Sequence, residues 1–495
     1  MRKHLRSIAP EAACFALVTV AYLVHFLLAG YDRFYFDAER YWRLGDAFGS
    51  DGGFSLLAYD DLYRGYSLPL LSHWLHAIAS GIGTSDVTAV HVTGALLAAT
   101  TGVVVIPRLA CALFSDATRT WSRVLALNGL VFVFWRDHFG FPLTDFPALL
   151  AVAVGLLGLF RATPVGYVVA GLGLGLAANL RPAYLPAAIG VLLVAAFVPL
   201  RSRPWRRRGL AFASVLVGLA AVTLPQMAMN HRHHDTWSPT PVAAREIAMF
   251  QLTYGLLAQK YESYVGHLEE YPEPGVIYVD PVAAHVLSDE GVGRITSYGQ
   301  YLRIVARHPE LVASYGLHLF NGLDVRYPTP YVRDLRDNPR WLSLLQYTLL
   351  FAAIARLVMP DSRRRLGRVR WVGVVILVLP SLTAIAGAPE PRYFLPVQIL
   401  VYMLVCFGPA TRMLFLGGSA VRRLSLAAAY LSFLLLCLTL SAATQGQIEH
   451  GTEAAQAQRR SRISSEPARA TTTKPMRRSS DRASGTARSV PISPV

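Results

Sequence analysis

Residues 31–48 read Tyr-Asp-Arg-Phe-Tyr-Phe-Asp-Ala-Glu-Arg-Tyr-Trp-Arg-Leu-Gly-Asp-Ala-Phe and follow the first long apolar run directly. Asp37, Tyr41 and Leu44 recur at helical spacing, which predicts one ridge of a short helix. A carboxylate at the start of such a helix has two ordinary uses. It caps the helix by accepting hydrogen bonds from the first free N–H groups, or it takes a proton from a substrate hydroxyl. The residues of this stretch leave both uses open.

The composition is that of a membrane protein. Of the 495 residues, 53% are hydrophobic and 16% are charged, whereas soluble domains carry about a quarter charged residues. The formal net charge is +16, and nearly all of the positive charge is Arg. Much of it lies in short loops between apolar runs, which is the pattern that orients membrane proteins, so it does not indicate a nucleic-acid partner. The four cysteines lie in apolar runs, without a spacing typical of zinc sites or disulfides.

The hydropathy pattern predicts an all-α polytopic membrane protein of about 11 transmembrane helices, within a range of about 9–13. The predicted spans lie near 11–29, 88–107, 122–136, 145–160, 165–179, 183–199, 209–228, 341–358, 371–387, 394–410 and 424–443. We expect the first to be an uncleaved span with a cytoplasmic N-terminus. The two densest Arg clusters, in 200–208 and 359–370, then both fall on the cytoplasmic side.

The same topology puts two long segments outside the cytoplasm. In segment 30–87, the apolar residues after Gly65 are too few to span, so this part is predicted to lie along the interface. Segment 230–340 is predicted to be one large extracytoplasmic loop, with a helix indicated by the spacing of Tyr298 and Leu302.

Two regions follow from this pattern. Residues 1–443 are predicted to form one membrane-embedded domain. Residues 444–495 are basic and rich in Ser, Thr, Ala and Pro without apolar periodicity, so we expect a disordered tail. The side of the membrane on which this tail lies stays open.

Ionisable side chains collect at the predicted outer ends of the spans, where a functional role competes with ordinary charge placement. These candidates are Asp37, Asp60, Asp61, Arg64, Asp137, His138, Asp145, Arg181, Glu390 and Arg392. Asp145 opens the fourth span and is either a second acid of a site or an N-cap. Arg181 follows a Gly-rich helix, and its guanidinium either binds phosphate or extends to the interface. Glu390 and Arg392 can also pair with each other.

A histidine-rich segment follows the seventh predicted span. It contains His231, His233, His234 and Asp235, and imidazoles with a carboxylate are able to bind a metal ion. Adjacent residues rarely all reach one ion, and no second half of a site is visible, so an exposed loop is the preferred interpretation. No cofactor is firmly predicted, and a divalent cation stays open.

Three short motifs resemble the GT-C superfamily of polytopic membrane glycosyltransferases, in particular its family 39-like enzymes. The segment 37–44, Asp-Ala-x-x-Tyr-x-x-Leu, is similar to the start of their first extracytoplasmic loop. The segment 171–182 looks like their Gly-rich helix and Arg-Pro corner, and 389–396 resembles their Arg-Tyr-aliphatic-Pro element. The resemblance implies a multi-span fold with outer interfacial "jaw" helices.

The resemblance also implies an activity. Such an enzyme, of which the mannosyltransferases are examples, takes a sugar from a polyprenyl-phosphate donor at the cell membrane. It transfers that sugar to a glycan, lipid or protein acceptor of the cell envelope, at an extracytoplasmic active site. No Rossmann pattern is visible that would hold a nucleotide sugar, which is consistent with a donor that arrives through the membrane lipid.

On this hypothesis the catalytic residues are Asp37, as general base, and Asp145, which assists or orients. The expected substrate-binding residues are Tyr41, Arg64, His138, Arg181, Glu390, Arg392 and Tyr393. Because Ala38 separates Asp37 from Glu39, there is no adjacent Asp-Glu pair at 37–38, and whether Glu39 or Asp46 shares the role stays open. The alternative function is a transporter or lipid flippase without glycosyl transfer, although no inverted repeat is apparent in the sequence.

Overall fold

The computed structural model describes residues 2–50, 53–114, 117–197, 205–265, 276–334, 339–358, 368–408 and 420–465. Within these ranges the protein is mostly helical, as predicted. Five of the described helices are long and apolar enough to cross a membrane, or six if one bent helix pair counts as a single span. Four further apolar helices are shorter. All of these helices coincide with predicted spans, and the number that cross remains a prediction.

The first half of the chain consists of ten helices in the described ranges. They are α1 (Arg2–Ala29), α2 (Phe36–Arg43), α3 (Ser67–Ile82), α4 (Asp86–Ala99), α5 (Ile106–Leu113), α6 (Trp121–Trp135), α7 (Asp145–Arg161), α8 (Pro164–Leu180), α9 (Leu185–Phe197) and α10 (Trp205–His234). A π-helical turn over Thr100–Val105 joins α4 to α5. The helical stretch that ends at Gly140 and helix α7 meet at an angle of 120°.

The second half adds eight described helices. They are α11 (Ala244–Leu257), α12 (Pro281–Asp289), α13 (Tyr298–Arg307), α14 (Leu311–Leu323), α15 (Arg340–Val358), α16 (Arg368–Ala384), α17 (Leu395–Phe407) and α18 (Ala420–Ser465). Two antiparallel strand pairs complete the described structure. The first joins β1 (Gly49–Ser50) to β2 (Gly53–Phe54), and the second joins β3 (Ala258–Glu262) to β4 (Val276–Val279).

The segment 230–340 is more ordered than a single loop. The helix predicted around Tyr298 is confirmed as α13, whereas α11, α12, α14 and the β3–β4 pair were not predicted. These elements share a small apolar core of their own, which includes Met249, Ile295 and Ile304. Burial of that core stabilises structure where the sequence lacks the long apolar runs of a span.

The C-terminal region differs from its prediction. Helix α18 continues through the first part of the predicted tail 444–495 and ends at Ser465. The residues that follow the apolar stretch are rich in Ala, Gln, Glu and Arg, which favour helix once a helix has been started. Residues 466–495 lie outside the described ranges, as does about half of each Arg cluster in 200–208 and 359–370.

Helix α8 packs between α7 and α10, as the Gly-rich motif of α8 predicts for a small-residue packing face. At Gly171 a β-carbon would lie 1.9 Å from the carbonyl oxygen of Val215 in α10, so only glycine allows this approach. Other helices keep apolar side chains on their outer surface, and Leu27 and Leu28 of α1 are more than 80% exposed. Such faces suit contact with lipid tails.

Candidate active site

Helix α2 orients Asp37 through an unusual start. Its N-cap is Tyr35, and no side chain caps it, so the alternative in which Asp37 caps the helix is wrong. The next residue, Phe36, has a φ of 41°, in the left-handed region that aromatic residues rarely adopt. The backbone N–H of Ala38 donates to the Tyr331 hydroxyl at 3.1 Å. Backbone strain held by a long-range contact is a frequent feature of functional sites.

Asp37 contacts two arginines that are distant in sequence. Arg64 Nη2 donates to its Oδ1 at 2.6 Å, and Arg392 Nη2 donates to its Oδ2 at 3.1 Å. The Arg64 Nη1 atom also donates to the Tyr41 hydroxyl at 3.3 Å. The side chains of Asp37, Arg64 and Arg392 are 18%, 22% and 13% exposed. The carboxylate therefore lies in a largely desolvated site with cations on both of its oxygens.

The loop between α2 and α3 holds Arg64 in position. Asp61 Oδ1 accepts hydrogen bonds from the backbone N–H groups of Tyr63 and Arg64, at 2.9 and 2.7 Å. The Tyr59 hydroxyl donates to the Arg64 carbonyl at 3.0 Å. At Gly65 a β-carbon would lie 2.0 Å from the carbonyl oxygen of Asn179, so the loop approaches the end of α8 more closely than any side chain allows.

The same contact brings Arg181 into the site. Asn179 Oδ1 accepts from the Ser67 hydroxyl at 2.6 Å, while its Nδ2 donates to Gln226 Oε1 at 2.9 Å. These bonds join the start of α3, the end of α8 and α10. Arg181, two residues after Asn179, donates to the carboxylate of Asp145. As with Asp37, no side-chain cap forms at the start of α7, so Asp145 is not an N-cap.

The Glu390–Tyr393 segment completes the cluster. Arg392 Nε donates to the Glu390 carboxylate, which is the alternative in which these two residues pair with each other, while Arg392 Nη2 contacts Asp37. The Arg181 guanidinium lies 4.3 Å from the Tyr393 ring centroid and that of Arg392 lies 5.4 Å away, so this ring lies against both. We call this set the guanidinium cluster. It contains Asp37, Arg64, Asp145, Arg181, Glu390, Arg392 and Tyr393.

The protonation of Asp37 follows from these neighbours. Burial alone would raise the pKa of its carboxyl group, but the charges of Arg64 and Arg392 outweigh burial, and Arg181 adds to them. The pKa of Asp37 therefore lies below its usual 3.8, and the group is ionised near neutral pH.

Three polar atoms at the site are buried and have no hydrogen-bond partner in the described structure. They are Arg64 Nε, His138 Nδ1 and Asp145 Oδ2. Neighbouring Asp137 differs, because His25 and the Tyr31 hydroxyl both contact its carboxylate. Since buried polar atoms are nearly always paired, a bound ligand is one way to satisfy these three.

The other predicted candidates lie elsewhere. Glu39 pairs with Arg43 on the exposed side of α2, and Asp46 is exposed. The Asp60 backbone carbonyl accepts a hydrogen bond from His234 Nε2 at 3.1 Å, so the histidine segment contacts the loop between α2 and α3.

The metal alternative for the histidine segment has no support from the described geometry. His233 Nε2 donates to the Leu57 carbonyl at 2.8 Å, and the His231 ring stacks on Trp237. In the described part of the chain, no three His, Cys, Asp or Glu side chains form a group able to hold a metal ion. His231, His233 and His234 lie in the last turn of α10 and not in the predicted exposed loop, and His233 and His234 contact backbone carbonyls of the loop between α2 and α3.

Two features were missed by sequence reasoning. Tyr331 lies at the site, and its side chain is only 1% exposed. The sequence marked this region only through the helix-breaking Pro328, three residues before Tyr331. A second buried ionic group, which we call the Asp324 cluster, consists of Lys260, Glu262, Asp324 and Arg326. Lys260 was the available signal, because nearly every other cation of the chain is Arg.

No protein-family model matches this sequence, and no curated protein is significantly similar to it.

Proposed function

We propose that this protein is a GT-C-like glycosyltransferase of the cell membrane, which moves a sugar from a polyprenyl-phosphate donor to a hydroxyl group of an extracytoplasmic acceptor. One observation carries the proposal: both oxygens of Asp37 contact arginines, and its Arg392 partner lies 355 residues away in sequence. Arg181 and Asp145 lie alongside. Guanidinium forks suit phosphate oxygens, and an adjacent carboxylate suits proton removal.

The proposed reaction is a single transfer step. The acceptor oxygen forms a bond to the anomeric carbon of the sugar, while the bond from that carbon to the phosphate oxygen breaks. The electron pair of the broken bond remains on the phosphate, where Arg64, Arg181 and Arg392 stabilise the developing charge. The acceptor proton passes to Asp37 and then to solvent. Asp145 orients Arg181.

The unpartnered polar atoms of the site support a ligand of this kind. Arg64 Nε is a further donor for a phosphate or sugar oxygen, and Asp145 Oδ2 is an acceptor for a sugar hydroxyl. The apolar helices around the site are suited to carry a polyprenyl chain in the membrane.

The decisive experiment measures transfer directly. Purified protein in detergent or nanodiscs is incubated with radiolabelled polyprenyl-phosphate sugar and a membrane extract as acceptor, and labelled product is separated from donor. We expect wild type and Asp46→Asn to form product and Asp37→Asn to form almost none. Asp46→Asn is the matched control, because it removes the same charge from the same segment at an exposed position. If well-folded Asp37→Asn transfers sugar as fast as wild type, the assignment fails.

One observation favours a transporter or flippase instead. The helical stretch that ends at Gly140 meets α7 at an angle of 120°. Broken helices with ionisable residues at the break are common in transporters, and Asp145 lies beside this break. Reconstituted liposomes distinguish the two functions. A flippase moves a fluorescent polyprenyl-phosphate lipid between leaflets without consuming it, whereas the proposed enzyme forms product only when an acceptor is present.

A further inference from the structure

The charges of the guanidinium cluster balance without any ligand. Its cations are Arg64, Arg181 and Arg392, and its anions are Asp37, Asp145 and Glu390. Each guanidinium is in contact with at least one of these carboxylates. A site intended for an anionic lipid phosphate thus has its positive charge already occupied by the protein's own carboxylates.

We propose that Asp37 holds the phosphate position in the ligand-free protein, and that the donor phosphate displaces it from Arg64 and Arg392. The displacement releases the carboxylate that then acts as base, so the base is available only when the donor is bound. This inference rests on the proposed function, since it assigns the anion of the lipid-linked donor to these two arginines.

The geometry singles out Asp37 among the three carboxylates. It alone contacts two arginines through separate oxygens, at 2.6 and 3.1 Å, which is the arrangement that a phosphate offers with two of its own oxygens. Asp145 contacts only Arg181, and Glu390 contacts Arg392 through Nε and not through the Nη2 atom that contacts Asp37. A phosphate is therefore able to replace Asp37 on both arginines without breaking the other two pairs.

The partners of the arginines allow this exchange. Arg392 stays anchored through Nε to Glu390, so its Nη2 donor keeps a fixed direction when Asp37 leaves. Arg64 has a buried Nε without a partner in the described structure, which gives the phosphate or sugar a second donor on that side chain. Its backbone is held by Asp61 and Tyr59, and its Nη1 atom donates to the Tyr41 hydroxyl, so the guanidinium keeps a contact of its own when Asp37 leaves.

The exchange changes what Asp37 can do. While two guanidiniums contact it, the pKa of Asp37 is lowered and the carboxylate is a poor proton acceptor. Once an anionic phosphate has taken those contacts, the site carries one more negative charge and the carboxylate becomes more basic. The acceptor is deprotonated only beside a bound donor, and a free base is not exposed in the empty enzyme.

The test measures binding and not turnover. Affinity for a short-chain prenyl phosphate is measured by titration calorimetry with purified protein in detergent, for wild type, Asp37→Asn and Asp46→Asn. Removing the competing carboxylate should make Asp37→Asn bind the prenyl phosphate about tenfold or more tightly than wild type, because the binding-competent fraction rises. Asp46→Asn should match wild type. A substitution in the catalytic base that abolishes transfer while strengthening binding is not expected from general structural damage.

Two further ligands identify what is recognised. Inorganic phosphate should gain affinity in Asp37→Asn by a similar factor, because the exchange concerns the anion, although it should bind more weakly than the lipid in every variant. The corresponding prenol, which lacks phosphate, should show no gain. A gain for prenol equal to that for prenyl phosphate would overturn the proposal, because it would assign the effect to the apolar chain.

Folding of the variant is controlled separately. If two unpaired arginines prevent Asp37→Asn from folding, the double variant Asp37→Asn/Arg64→Gln is compared with Arg64→Gln, so that both charges of one pair are removed together. The double variant should bind prenyl phosphate several-fold more tightly than Arg64→Gln, because in the double variant Asp37 no longer occupies Arg392. Equal or weaker binding in either comparison refutes the exchange. Failure of the proposed function would instead appear as a wild-type protein that never consumes the donor sugar.

Discussion

The guanidinium cluster and the Asp324 cluster are both buried, but the carboxylates of Asp145 and Asp324 differ in how fully they are occupied. Asp324 is completely buried and receives contacts on both oxygens from four side chains. These are Lys260, Arg326, Tyr347 and Ser441. In the guanidinium cluster, Asp145 Oδ2 and Arg64 Nε are buried without a partner, and Asp37 is still 18% exposed. A saturated carboxylate has no capacity for a ligand, whereas an incompletely paired site has that capacity.

The positions of the two clusters explain the difference. The Asp324 cluster joins strand β3, the end of α14 and helix α18, which come from three separated parts of the chain. Its role is therefore to hold the C-terminal helix against the segment 230–340. The guanidinium cluster lies where loops and helix ends meet, which leaves several of its side chains partly exposed. The two should respond differently to equivalent substitutions.

The largest expected effect is on catalysis. Asp37→Asn should lower the transfer rate by about 10²–10⁴-fold, the range typical for loss of a general base. The measurement is the initial rate of sugar transfer at saturating donor, with folded protein selected by gel filtration. Asp324→Asn serves as the comparison from the second cluster, and its folded fraction should retain a rate within about twofold of wild type. If Asp324→Asn lowered the transfer rate more than Asp37→Asn did, the catalytic role would belong to the Asp324 cluster and the structural role to the guanidinium cluster.

Asp324→Asn should instead produce the largest loss of stability. Removing one partner of a buried ion pair typically costs about 3–5 kcal/mol, because the remaining charge is left uncompensated. Lys260 has a completely buried side chain and keeps Glu262 as a carboxylate partner at 3.0 Å when Asp324 is neutral, so we expect a loss near the lower end of this range. Thermal unfolding in detergent measures the change. A melting temperature like that of wild type would show that the network does not hold α18.

The sequence predicted the two regions to different degrees. Long apolar runs and 3.6-residue periodicity are local signals, so the helices of the spans and α2 and α13 could be predicted. The resemblance pointed to Asp37, Asp145, Arg181 and Arg392, but not to which acid pairs with which arginine, because pairing is decided by tertiary packing. The contact between Gly65 and Asn179, which brings two of the arginines together, has no sequence signature.

The Asp324 cluster could not be predicted for a related reason. Its residues lie in a segment without span-like apolar runs, and its partner Ser441 is in the last predicted span, where a single serine reads as a neutral helix residue. The helix beyond residue 444 was also missed. Composition alone suggested disorder there, whereas the preceding helix continues into it and removes the cost of helix nucleation.

The next largest effect should be a pH dependence of the unfolding free energy that comes from the ion pairs of Asp37. Because the pKa of Asp37 is lower in the folded protein than its usual 3.8, the unfolded chain takes up this proton first as pH falls. The contribution of Asp37 is therefore fully present above pH 3.8 and is lost as pH falls through the lower, folded pKa. The difference in unfolding free energy between wild type and Asp37→Asn should shrink over that window. A difference that stays constant below pH 3.8 would contradict the ion pairs.

The smallest expected effects come from two tyrosine hydroxyls, one in each region. The Tyr331 hydroxyl accepts from the N–H of Ala38, beside Asp37, while the Tyr347 hydroxyl donates to Asp324 at 2.7 Å. Substituting either by Phe removes one hydrogen bond, with an effect of about 1 kcal/mol. Tyr331→Phe should lower the transfer rate several-fold, because Asp37 loses its fixed position. The melting temperature should change little, because relaxation of the strained backbone at Phe36 offsets the lost hydrogen bond.

Tyr347→Phe should do the opposite, lowering the melting temperature by about 1 °C while the transfer rate stays within twofold of wild type, because 1 kcal/mol gives a shift of about 1 °C when the unfolding entropy is scaled to a chain of this size. Measuring both quantities on both variants separates a positioning role from a structural one, because a purely structural Tyr331 would change stability alone. Equal behaviour of the two variants would mean that the strained start of α2 is held by the surrounding aromatic rings, and that the hydroxyl of Tyr331 does not position Asp37.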